Sequence, residues 1–217
     1  PQRLLEMLDS DEPLPLAGER REATLVVCEI FNQNLLAEAL SPEACVALTN
    51  GFLRTASEAL LRSGALMETC TGDRVRALFG LPLTDEGHAA RACEAALCLG
   101  EALEAFCRKA EEEWKIAPDY RIAVHSGEVI AAAYGAGGMG GFSVTGEALE
   151  FSRKLCLANT FYGSRILLGP RVFALAAEAV EVRPMELIRL PGQRAPEEIY
   201  ELLAPKGGLD ETERERR

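Results

Sequence analysis

Residues 65–80, ALMETCTGDRVRALFG, hold two short strand-like runs on either side of Thr71-Gly72-Asp73, a turn-forming tripeptide, and so predict a β-hairpin. Working back from it, Gly64 stops a helix. Apolar residues recur at threes and fours, first Leu36, Ala39 and Leu40, then Val46, Leu48, Phe52, Leu53, Ala56 and Leu60. Ser41-Pro42 between the two sets supplies an N-cap and a first-turn proline, so the segment 32–62 reads as two helices. Before them ATLVVCEIF (23–31) is apolar and rich in β-branched residues, the signature of a central strand covered on both faces. Residues 1–22 read as a polar, proline-containing leader whose RLLEML hints at the end of a helix, and the start at Pro1 suggests a piece of a longer chain.

Working forward, Asp85 is placed to cap a long helix over 86–114, in which AARACEAALCLGEALEAF is small and apolar on most faces. RIAVHSGEVIAAAYG (121–135) reads as two strands joined at Ser126-Gly127, AGGMGG (136–141) as a mobile loop, and TGEALEFSRKLCLANT (145–160) as a capped helix. RILLG, AVEVRPMELIRL and EEIYELL supply the last strands, with RVFALAA a short helix among them. The order β-α-α-β-β-α-β-β-α-β-α-β-β predicts an α+β fold, an antiparallel-rich sheet with helices on one face and a ferredoxin-like core. The expected domain spans 23–203, followed by a solvated, charged tail from 204 to 217 that ends in ETERERR.

With 217 residues and 48% hydrophobic content, the chain can bury one sizeable core. Its net charge of −11 argues against nucleic acid or an anionic membrane surface as partner. No apolar run has the roughly 18 to 20 residues of a membrane span. Seven cysteines, an odd number without a CxxC pair, fit reduced thiols in a cytosolic core better than a disulfide framework or a zinc site. Of the two histidines, His125 reads as a structural residue near a strand turn.

Several of these segments together resemble class III adenylyl/guanylyl cyclase catalytic domains over nearly all of residues 14–203. The matching pieces are Gly18-Glu19-Arg20-Arg21-Glu22 before the first strand, the hairpin Gly72-Asp73-Arg74-Val75-Arg76-Ala77-Leu78-Phe79-Gly80, and the helix start from Pro82 through Asp85, His88, Ala89, Arg91 and Ala92. Ile122, His125, Gly127, Glu128 and Val129 follow in the family's order. The leader most resembles bacterial cyclases tethered behind a membrane-anchored sensor, which implies a cytoplasmic domain fed by an upstream segment of the same chain.

The resemblance implies a head-to-tail homodimer that cyclises ATP or GTP at its interface with two magnesium or manganese ions. It places the two metal aspartates at Glu29 and Asp73, the base-reading lysine and aspartate at Thr69 and Glu147, and the transition-state asparagine and arginine at Glu150 and Lys154. Only Asp73 keeps the family's residue. Glutamate displaces its carboxylate by one methylene, which magnesium tolerates poorly because it demands near-ideal octahedral geometry. Phe31-Asn32-Gln33-Asn34 also lacks the glycine with which the family's backbone wraps phosphate. Lys154 keeps a positive charge without the planar fork. A Glu150 carboxylate about 4 Å from phosphate oxygens would cost about 4 kcal/mol at an effective dielectric near 20. Losing one preorganised donor slows such a step by about 10² to 10³. The expectation is therefore a degenerate cyclase serving as a dimeric relay or a nucleotide sensor. The alternative is an active cyclase with variant ligands, for which manganese is the better-suited ion.

Overall fold

The computed structural model describes residues 18–136, 139–189 and 195–209. The leader segment RLLEML and the tail ETERERR lie outside them. The first strand, β1 (Glu19–Ile30), starts four residues earlier than its apolar run, because Glu19–Glu22 pair with residues 128–131 of a neighbouring strand. Its alternation feeds two cores. Val26, Cys28 and Ile30 face one layer of helices, and Leu25 and Val27 face the other side, all fully or nearly fully buried.

Two helices follow, α1 (Gln33–Ala39) and α2 (Pro42–Arg62), the second capped by Ser41, whose hydroxyl accepts the Ala44 N–H at 3.2 Å. The predicted hairpin forms as β2 (Leu66–Thr71) and β3 (Arg74–Phe79), with Gly72 in the left-handed region at φ 62°. The long helix α3 (His88–Trp114) begins two residues later than expected. Asp85 accepts the Gly87 N–H at 3.2 Å and ion-pairs with Arg91, so it organises the turn before the helix.

The segment expected to form two strands is one, β4 (Tyr120–Ala136), continuous through Ser126 and Gly127. Gly127 does not turn the chain; a Cβ there would lie 2.9 Å from the Ala148 Cβ, so the missing side chain lets a helix approach the strand. The predicted AGGMGG loop is largely strand as well. β5 (Met139–Thr145) pairs back on β4 with Gly135 opposite Gly140, while residues 137–138 lie outside the description. Helix α4 (Glu147–Tyr162) starts at Gly146 without a side-chain cap. β6 (Ile166–Leu168), α5 (Pro170–Ala176), β7 (Val180–Ile188) and β8 (Glu197–Pro205) complete the order.

The sheet runs β2-β3-β1-β4-β6-β8-β7, with β5 attached to β4, and only the β4–β6 pair is parallel. The arrangement β2-β3-β1-β4 is the ferredoxin-like order of a βαββαβ unit. The helices do not share one face, as had been expected. α1, α2, α3 and α5 pack on one side, while α4 and the inward side chains of β5 cover the other. The run AALCLGEAL is apolar on most faces because α3 lies between the sheet and α2, with Cys98 and Glu101 left on its exposed side. Among the described residues no helix is long and apolar enough to cross a membrane.

Candidate functional site

The two positions matched to metal ligands come together at the end of β1. The Ile30 N–H donates to the Asp73 carbonyl at 2.9 Å, and Glu29 stands opposite Arg74 in the β1–β3 register. Glu29 ion-pairs with Arg74; their side chains are 15% and 30% exposed. On its other side Glu29 stands opposite Arg121 of β4. Directly opposed residues share a sheet face, so both arginines flank Glu29 on the side that carries α4. Arg121 itself ion-pairs with Asp119, which also takes Arg165 at 2.9 Å. The Glu29 charge that a divalent ion would need is thus already balanced by the Arg74 guanidinium. Among the described residues no group of three or more His, Cys, Asp or Glu side chains gathers as a metal site. The residues present do not fit a magnesium or manganese pair.

Thr69 sits opposite Arg76 across the hairpin, beside a local irregularity in pairing. Its hydroxyl donates to Glu68 at 2.6 Å and receives an Arg76 N–H at 3.1 Å. Glu68, whose side chain is only 2% exposed, also pairs with Arg76 and accepts the Ser143 hydroxyl from β5. Burial alone would raise the Glu68 carboxyl, but these hydrogen bonds outweigh it and hold the group below its ordinary value. Thr69, the position matched to the base-reading lysine, is therefore tied into a closed polar network that joins β2, β3 and β5.

Glu147 and Glu150 stand exposed in the first turn of α4, and Lys154 is half-buried one turn on. Glu150 pairs with Arg153 at 3.2 Å. Glu147 opens on a cleft of about 440 Å³ lined by Arg20, His125, Glu128, Phe151, Arg171 and Glu197. Burial, and then the Glu147 charge, raise the Glu197 carboxyl. His125 stacks on Phe151 with centroids 4.1 Å apart, and burial, helped by the Arg171 charge, pushes its pKa down to about 4. That makes it a neutral wall residue near pH 7, inside a continuous strand rather than near the strand turn that the sequence suggested.

Within one chain the start of α4, with Glu147, and the end of β1, with Glu29, lie apart. Gly127, under the start of α4, pairs with Ala23, six residues before Glu29 on the same strand. At 3.3 Å per residue that is about 20 Å. Sequence reasoning missed Arg74, Arg76, Arg121 and Glu68. Their signal was alternation, since 74 and 76 fall on the face opposite Val75 and Ala77, but pairing them with acids required the register. The thiols also divide differently from expectation: Cys28, Cys93 and Cys156 are buried, while Cys70 and Cys98 are exposed at the hairpin and on the outer side of α3. Burial raises Cys93 to about 12 and Cys107 to about 11, which suits inert thiols.

Comparison with known proteins places this geometry. Adenylate cyclase 1 of Rhizobium meliloti (strain 1021) is 27% identical over 199 residues, which are 91% of this chain and 30% of that protein, so the chain spans under a third of its relative's length. The guanylyl cyclase Cya2 superposes with a TM-score of 0.79 at 20% identity, covering 89% of this chain and 95% of that one. The adenylyl cyclase CyaB from P. aeruginosa gives 0.80 at 20% identity, covering 90% and 100%. Residues 17–202 match the family described as the adenylate and guanylate cyclase catalytic domain, and with that match over most of its length the chain belongs to that family.

Proposed function

We propose that this domain works in signal transduction as a head-to-tail homodimer with little or no cyclase activity, relaying the state of an upstream segment or sensing a nucleotide. The observation that carries the reading is Glu150. At the family's transition-state asparagine this chain presents an exposed carboxylate, already paired with Arg153. It repels the polyphosphate that an amide would hold. The homodimer is supported by the separation of Glu147, at the start of α4, from Glu29, at the end of β1, which a second copy turned end for end would bring together. It is supported also by Leu157 and Phe161, 54% and 84% exposed one turn apart on the side of α4 that carries Glu150 and Lys154. Solved structures of the same fold include a guanylyl cyclase domain described as a non-canonical dimer and another in complex with GTP. A cytosolic setting agrees with seven free thiols, and a sensor elsewhere in the protein with the greater length of the Rhizobium meliloti relative.

The test is mass-spectrometric detection of cAMP and cGMP after incubating the dimer with ATP or GTP, in magnesium and separately in manganese, beside Asp73→Ala. The expected result is no product above that control. Product lost in Asp73→Ala would establish an active variant site instead. A nucleotide-dependent rise in Tm would then separate a sensor from a pure relay.

A further inference from the structure

We propose that Arg74 has replaced the metal: its guanidinium is the resident cation of the Glu29–Asp73 centre, and the domain holds no divalent ion there. The inference deepens the weak-catalysis reading but rests on different residues, those of β1, β3 and β4 rather than the α4 face.

Three observations carry it. Arg74 is the direct cross-strand partner of Glu29 and ion-pairs with its carboxylate, so the group that would ligate a metal is already engaged by a permanent positive charge. The opposite neighbour of Glu29 is Arg121, so an arginine stands beside Glu29 on both flanking strands, Arg121 being itself paired with Asp119. Finally, the pair is walled in rather than waving in solvent. Cys156 of α4 donates toward the Val27 carbonyl two residues before Glu29 and toward the Arg121 carbonyl at 3.4 Å. A half-buried cation that cannot lose its charge is screened less than a surface one. It leaves Asp73 as a lone family carboxylate in a tight turn, and one monodentate carboxylate does not make a tight magnesium or manganese site without help from substrate phosphates.

The experiment is a manganese(II) titration followed by electron paramagnetic resonance of the free ion, on the intact chain without nucleotide. The unsubstituted protein is expected to show no binding that depends on Asp73 through the millimolar range. Arg74→Gln, which keeps a polar side chain beside Glu29 but removes the charge, is expected to bind manganese at least tenfold more tightly than the unsubstituted chain, and Arg74→Gln/Asp73→Asn to lose that gain. Circular dichroism checks that each variant is folded, and Arg74→Met stands in should the glutamine variant fail. Manganese binding by the unsubstituted chain that disappears in Asp73→Asn overturns the inference, as does a folded Arg74 variant with no gain. The two readings fail separately: cyclic nucleotide made by the dimer defeats weak catalysis, whereas Asp73-dependent manganese binding defeats the resident guanidinium.

Discussion

Glu68 is a carboxylate with almost no access to water, held by Arg76, Ser143 and Thr69. Taking away one member of a buried ion pair strands the other, at a cost of about 3 to 5 kcal/mol. Glu68→Ala should therefore lower stability in urea by that order. Glu68→Gln, which keeps some hydrogen bonds, should cost less. Because the folded pKa of Glu68 is depressed, its contribution is complete above the unfolded value of 4.5 and is lost as pH falls through the folded value. His125 acts in the same direction in a higher window. Its pKa falls from 6.5 to about 4 on folding, so the unfolded chain binds the extra proton between those values. Stability is complete above about pH 6.5 and declines toward pH 4, by on the order of 3 kcal/mol. A urea-midpoint profile against pH should show that slope, and it should flatten in His125→Gln.

The docking of α4 on the sheet depends on glycines that the sequence alone assigns to turns. Gly127→Ala would drive a methyl group to 2.9 Å from the Ala148 Cβ, both ends being held by backbone. The expected cost is about 1 to 3 kcal/mol, read by urea unfolding, and the damage should concentrate in α4 by hydrogen exchange. On the opposite face, Thr24 of β1 bridges His88 Nδ1 at 2.6 Å and the Ser126 hydroxyl at 2.7 Å, tying the first turn of α3 to the two central strands. Thr24→Val is nearly isosteric and strands two buried partners, with an expected loss of about 1 to 3 kcal/mol. Both cases show why Ser126-Gly127 misreads as a turn: serine and glycine serve turns by composition, but here one is a buried hydrogen-bonding group and the other a space for a helix.

For the whole molecule, the proposed dimer predicts a separation of association from stability. Phe161→Glu combined with Leu157→Glu alters side chains that are 84% and 54% exposed in the single chain, so Tm of the monomer should stay within a degree or two while sedimentation velocity shows loss of the dimer. If those residues instead support the fold, Tm will fall with association unchanged. An association that survives both substitutions would place the interface elsewhere.

Element order and the ferredoxin-like core were legible in the sequence because hydrophobic period is local: the run from Ala23 to Phe31, β-branched and apolar but for Glu29 near its end, reads as a strand with two covered faces. The family motifs were legible for the same reason, as short contiguous strings that place Asp73, Glu29, Glu147 and Glu150 by counting. The side chosen by each helix was not legible, since amphipathicity says that a face is buried and not against which layer. Nor was the identity of the partners. Glu29 meets Arg74 across 45 residues of chain and Glu68 meets Ser143 across 75. Such pairings follow from strand register and from the packing of β5 over the sheet. Counting along the sequence gives the address of an acid; only the folded sheet determines whether a guanidinium already neutralises it.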